Sequence, residues 1–173
     1  VNYAIVISTN GGLWRYILGD TLKFTSSTPY RFKITGRTKS FINVFGEEVI
    51  VENAEKAIAY ACEKTNAVIR DYTAGPIYLK DKQTGSHEWI IEFAREPEDK
   101  ERFERLLDEK LREINSDYEA KRFNNMILSK PVIHYCQKGT FDNWLKEKDK
   151  LGGQNKIPRL SNNRLILDQL LNT

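Results

Sequence analysis

Three side chains in this sequence stand beside glycines in turn-like stretches: Asp20 in "LGD", Arg37 in "TGR" and Lys156 in "GGQNKIPR". Backbone can approach a ligand at such places, and the side chains are not committed to a core. A carboxylate at the end of a strand can accept two hydrogen bonds from vicinal hydroxyls, the pattern a ribose presents. An arginine forks onto phosphate oxygens, and a lysine on a loop acts as a mobile point charge. Together the three suit a nucleotide whose phosphate is under attack. Taken singly, each has a plain structural alternative: Asp after Gly commonly closes a turn, and Lys-Ile-Pro-Arg fits a solvated loop.

The elements that must position these residues begin with a dense β unit. "YAIVIST", "LWRYIL", "TLKFTS" and "YRFKITG" are aromatic and β-branched, separated by "NGG", "GD" and "SSTP", all turn chemistry. The diglycine of "GGLWRYILGD" reads as a hairpin entry, with Asp20 closing the following strand. "SFINVFGEEV" mixes apolar alternation with Gly46, where a turn or bulge is expected.

From residue 51 the period changes. Asn53 is the expected cap of a helix to about Thr65, with Ala54, Ile58, Ala61 and Cys62 on one face. "AVIRDYTAGPIYLKD" and "HEWIIEFA" read as two strands of a second hairpin. Asp99 is the expected cap of the clearest helix, whose apolar stripe runs from Phe103 through Leu107 and Leu111 to Tyr118. "MILSKPVIHYC" is a strand broken at Pro131, and "TFDNWLKEKDK" a short helix ended by Gly152-Gly153. The fold class is therefore α+β: an antiparallel β unit followed by a mixed β-α-β-β-α-β-α lobe. The composition shift near Gly36 to Lys39 divides the chain into residues 1–36, the end of a larger lobe, and 37–173, a C-terminal lobe.

Composition narrows the function classes. The 173 residues are 40% hydrophobic and 11% aromatic, enough for one core or a core plus a smaller lobe. The 27 basic and 24 acidic residues are interspersed, so bulk charge does not argue for nucleic acid. "YAIVI" is far short of the roughly 20 residues of a membrane span. Cys62 and Cys136, with His87 and His134, show no metal-ligand spacing and are expected to be buried thiols in a reducing cytoplasm. The chain enters a strand directly from Val1 without an initiator Met, which leads us to expect a piece of something longer.

"GLWRYILGD", then "YRFKITGRTKSFINVFGEEVIVENAEKAI", then "KGTFDNWL" and "GGQNKIPRL" occur in that order from Gly12 to about Arg159. In this order they resemble the C-terminal part of the acyl acid amido synthetases of the auxin-responsive-promoter family, in its bacterial form. That family is similar in turn to the wider class of acyl-adenylate-forming enzymes. The resemblance implies that Tyr16, Gly19 and Asp20 match the family's tyrosine-x-x-glycine-aspartate element, whose aspartate holds the ribose hydroxyls of ATP. It implies that Arg37 approaches the ribose and phosphates, that Lys39 lies at the hinge of the C-terminal lobe, and that Lys156 is the loop lysine brought to the adenylation site. Leu18 stands where the wider class often carries Thr.

The implied chemistry has two steps. A carboxylate attacks the α-phosphate of ATP and releases pyrophosphate, and an amine, typically of an amino acid, then opens the acyl-adenylate. Mg²⁺, an arginine and a lysine are wanted around the crowded phosphorus for positioning and electrostatics. A lysine on a turning lobe can serve that step and withdraw. The family's Ser/Thr/Gly-rich triphosphate loop and its acyl pocket belong to a large N-terminal lobe; "TSSTP" at 25–29 is too short and lacks the glycines. The chain alone is accordingly expected to be inactive, its missing N-terminal lobe being its necessary partner.

Two other classes stay open. Strands rich in Tyr, Phe and Trp beside Lys and Arg could stack RNA bases, although aromatics in strands more often form core. A structural domain whose ancestral site has decayed is the other, and Leu18 is the kind of departure it would show.

Overall fold

The computed structural model describes residues 1–37, 40–78, 84–149 and 156–172, with Arg37 described by its backbone alone. The aromatic and β-branched residues of the first stretch pair as their alternation demands. β1 (Tyr3–Ile7), β2 (Tyr16–Ser27) and β3 (Tyr30–Arg37) form an antiparallel sheet in chain order. The loop between β1 and β2 is closed by Thr9 N–H on the Leu13 carbonyl at 2.8 Å and by Arg15 N–H on Ser8 Oγ at 3.0 Å. Leu13, Trp14 and Arg15 therefore belong to the loop and not, as "LWRYIL" led us to expect, to the strand.

The larger correction concerns "GD". It does not separate two strands: β2 runs unbroken through Gly19 and Asp20. Val6 pairs with Ile17 and Ala4 with Thr21, so Leu18, Gly19 and Asp20 stand against Ile5 alone. Gly19 takes φ +87°, in the left-handed region that glycine enters without a Cβ penalty. The result is a β-bulge that absorbs extra residues without turning the chain.

β4 (Phe41–Ile42) and β5 (Val49–Ile50) form a small hairpin around Gly46 and lead directly into α1 (Val51–Thr65). The helix begins before Asn53. That residue lies in the first turn, and its Oδ1 accepts the Ile50 N–H at 3.1 Å, so it ties the entry from inside instead of capping it. The third sheet holds β6 (Val68–Ile77), β7 (Ser86–Arg95) and β8 (Val132–Cys136), with β6 and β7 antiparallel and β7 and β8 parallel. Between β7 and β8 come α2 (Lys100–Ile114) and α3 (Ser116–Arg122). Asp99 does cap α2, accepting the Arg102 N–H at 2.9 Å. The expected single helix to Tyr118 breaks at Asn115, whose Oδ1 accepts the Tyr118 N–H and starts α3. α4 (Thr140–Glu147) ends before the Gly152-Gly153 pair, which lies outside the described residues, and α5 (Leu165–Leu171) completes the chain.

Alternation along β7 puts two cores on opposite faces of the third sheet. Trp89, Ile91 and Phe93 join Ala54, Ala57 and Ala61 of α1 and Phe103, Leu107 and Leu111 of α2 in the main core. Ile90 joins Phe141 and Trp144 of α4 and Leu167 and Leu170 of α5 in the second. The first sheet shares neither core. Its Tyr3, Phe24, Tyr30 and Phe32 form an edge-to-face cluster with centroids 5.7 to 6.2 Å apart, yet each is about half exposed or more. Strand aromatics expected to be core are here an open face. Cys62 and Cys136 are free thiols, half-buried rather than buried, and burial raises the titration of both, Cys136 to about 11.

Candidate functional site

Asp20 and Arg37 are direct cross-strand partners in the register of β2 and β3. Sequence separation hides this: the hairpin folds β3 back so that its last residue meets the bulge in β2. The adjoining pair is Thr21 opposite Gly36, and Thr35 is the extra residue on β3 between Gly36 and Ile34. Thr21 Oγ1 and Thr35 Oγ1 share a hydrogen bond of 3.1 Å, which places both hydroxyls on one face. Strand alternation puts Asp20 on the other face, with Leu22 and Phe24. Tyr16 opens β2 opposite Ile7 and is half exposed. Tyr16, Gly19, Asp20 and Arg37 thus belong to one end of the first sheet. Lys39 lies outside the described residues.

Lys156 is exposed and starts a segment that docks along the free edge of β6. Pro158 O accepts from Thr73 Oγ1 at 2.7 Å, Arg159 O from Ala74 N–H at 2.9 Å, and Ser161 N–H reaches Ala74 O at 3.0 Å. Ile157 enters the second core, and the Arg159 guanidinium pairs with Asp71 and lies 4.7 Å from the centre of the Tyr72 ring. "KIPRL" is therefore a docked strand-like clamp with the exposed Lys156 as its first described residue, not the solvated loop of the plain alternative. No described contact joins Lys156 to Asp20.

Between the first sheet and the start of α1 lies a cavity of about 330 Å³, lined by Thr21, Thr35 and Gly36 on one side and by Phe41, Asn43, Glu48 and Val51 on the other. Its rim is tied to the clamp segment, since Asn43 N–H donates to Asn162 Oδ1 at 2.7 Å.

The "FGEEV" turn beside this cavity is held by a buried hydrogen-bonded pair that the sequence reading missed. Glu47 is fully buried; its carboxylate accepts the N–H groups of Val44 at 3.3 Å and Phe45 at 2.7 Å, and His87 Nε2 lies 3.0 Å away. Burial works to raise the Glu47 carboxyl, but the His87 hydrogen bond and charge and the backbone N–H groups outweigh it and hold it below its ordinary value. The signal was available in two consecutive glutamates at a strand-to-helix turn, of which only one can face water. Glu92 in β7 also went unnoticed, its partners lying in a distant segment. It is buried, accepts the Gly139 and Phe141 N–H groups at 2.9 and 3.3 Å, and so caps α4 at the "KGTF" motif.

Burial near α2 has a third ionic knot. Arg122 reaches Asp108 through Nε at 2.9 Å and Nη2 at 2.6 Å, while the Tyr118 hydroxyl donates to Asp108 at 2.8 Å. Burial and then the Asp108 charge push the Tyr118 phenol well above its usual range. These groups are buried and satisfied by one another, which makes them structural.

The sequence matches the GH3 family C-terminal domain over residues 52–165 and the GH3 family central domain over residues 1–37. Two solved structures share the fold. GH3.15 acyl acid amido synthetase superposes with a TM-score of 0.79 at 22% identity, covering 99% of this chain and 32% of that one. AtGH3.15 acyl acid amido synthetase in complex with 2,4-DB superposes with a TM-score of 0.73 at 22% identity, again over 99% and 32%. The chain thus spans about a third of the length of these structures. No curated protein matches the sequence. With its C-terminal domain matched over most of the chain and its β unit matched to the central domain, the chain belongs to the GH3 family.

Proposed function

We propose that this chain is the C-terminal portion of an ATP-dependent, acyl-adenylate-forming ligase of the bacterial form of the family, which joins a carboxylic acid to an amine such as an amino acid in the cytoplasm. The observation that carries the reading is the bulge at Gly19-Asp20 with Arg37 directly opposite Asp20, in a chain of the GH3 family. A carboxylate on a rigid strand beside a cationic partner suits a ribose joined to phosphates.

In the first step the substrate carboxylate attacks the α-phosphorus and pyrophosphate leaves. Asp20 accepts the ribose hydroxyls and fixes the nucleotide, with Tyr16 and Gly19 shaping the strand around it. Arg37 and Lys156 offset the negative charge that builds at phosphorus. In the second step the amine nitrogen attacks the acyl carbonyl and AMP leaves. Residues 37–173 form the lobe that turns about Lys39 between the steps, residues 1–36 staying with the larger lobe, and Lys156, beside its docked clamp, is carried in by that turn. Mg²⁺ is the counter-ion of the triphosphate in this reading; among the described residues there is no group of three His, Cys, Asp or Glu side chains that could hold a metal ion.

The open aromatic face of the first sheet supports a missing partner. Tyr3, Phe24, Phe32 and Ile34 are 46 to 57% exposed, a patch of the kind that a neighbouring domain covers. Its occupant in this reading is the N-terminal lobe, which also brings the triphosphate loop and the acyl pocket, so the isolated chain is inactive. ATP–pyrophosphate exchange by the full-length protein and by its Asp20→Asn and Lys156→Ala variants tests the proposal: both variants lose exchange while remaining folded, and full exchange in either removes that residue from the mechanism.

A further inference from the structure

The cavity between the first sheet and α1 is not the proposed nucleotide site, because strand alternation puts Asp20 on the opposite face of β2 from Thr21. Its volume, about 330 Å³, lies at the small end of the range for small-molecule sites. Among the described residues Glu48 is the one charged member of its lining, and its carboxylate makes no ion pair with another of them. The Glu48 backbone is held at φ +40°, a left-handed conformation unusual for a residue with a side chain, while Asn115 Nδ2 donates to its carbonyl at 3.2 Å. The buried Glu47–His87 pair fixes the same turn from behind. Strain at Glu48 is thus maintained by two anchors, which hold this exposed residue in the cavity wall.

The rest of the wall matches a cation with an organic body. The hydroxyls of Thr21 and Thr35 supply oxygen acceptors, and Phe41, Ile50 and Val51 supply an apolar side. With one carboxylate and no cluster able to hold a metal ion among the described residues, the wall suits the distributed N–H donors of an amine better than a bare ion. We propose that this cavity is a second small-molecule site, selective for a compact primary ammonium, with Glu48 as its charge partner. Because its walls come from both the first sheet and the turn before α1, an occupant also stabilises this arrangement of the two.

The test needs no adenylation chemistry, so its failure and that of the ligase reading are distinguishable. Titrating the 173-residue chain with ethylammonium chloride and following backbone amides by NMR is expected to give saturable shifts at Thr21, Gly36, Asn43 and Glu48. Sodium acetate is expected to give none. Glu48→Gln should weaken the binding about threefold to tenfold, with the unliganded spectrum otherwise unchanged. Glu48→Gly, which relieves the left-handed backbone and removes the carboxylate, should weaken it equally. Unsaturable shifts, equal shifts with acetate, or undiminished binding by both variants would overturn the site.

Discussion

Asp20 in the middle of β2 stands directly opposite Arg37 at the end of β3, sixteen residues of hairpin having been folded back to bring them together. A hairpin fixes this pairing more firmly than any loop could, because a slip of one residue would send every side chain of β3 to the other face. The pairing also depends on the bulge at Gly19. Replacing Gly19 by Ala adds a Cβ that meets nothing within 4 Å, so the cost is that of the left-handed backbone alone. We expect Gly19→Ala to lower stability by about 1–2 kcal/mol, read from the denaturant midpoint. An unchanged midpoint would show that the bulge is not held at this conformation.

Acid should unlock the turn before α1. The Glu47 carboxyl titrates below its ordinary value in the folded chain, so its stabilising contribution is fully present above the unfolded value of about 4.3 and is lost as pH falls through the lower folded one. Glu47→Ala leaves His87 and two N–H groups buried without their acceptor and should cost about 3 kcal/mol at neutral pH. Glu47→Gln should flatten the acid branch of the stability curve below about pH 4. An acid branch unchanged in Glu47→Gln would assign it to other carboxylates.

The Arg122–Asp108–Tyr118 knot predicts a different pattern. Arg122→Ala strands a buried carboxylate with one phenol partner and should cost about 3–5 kcal/mol in thermal or chemical unfolding. Arg122→Lys should recover only part of it, because a lysine cannot make the forked contact. Equal stability of the Lys variant and the parent would contradict the bidentate role.

How far the sequence revealed these features depends on the range over which each is decided. The Asp99 cap and the α2 stripe were legible because both are settled within one or two helical turns. Asn53 was misplaced as the cap by three residues, since its side chain ties Ile50 from inside the first turn. Gly19-Asp20 read as a turn because glycine marks turns and bulges alike, and only the partner strand tells them apart. Glu47 and Glu92 escaped notice because their partners, His87 and the start of α4, are supplied by distant segments. The pairing of Asp20 with Arg37 needed the hairpin register, whereas their chemistry was readable from residue type.

The aromatic face of the first sheet offers two partners with opposite signatures. If the rest of the protein covers it, Phe24→Ser with Phe32→Ser should cut binding of an apolar fluorescent dye to the isolated chain while leaving the two cores intact. Titration with single-stranded RNA should then show no salt-dependent binding. A steep decline of RNA affinity with salt would instead favour the base-stacking reading.

The most direct measurement of the central claim is ATP–pyrophosphate exchange with the full-length protein, its Asp20→Asn variant and the 173-residue chain side by side. Loss of the charge-assisted contact to the ribose should lower kcat/KM for exchange by about 10- to 100-fold in the variant, with an unchanged melting temperature, and the isolated chain should give no exchange. Full exchange by Asp20→Asn, or turnover by the 173-residue chain comparable to that of the whole protein, would contradict the account.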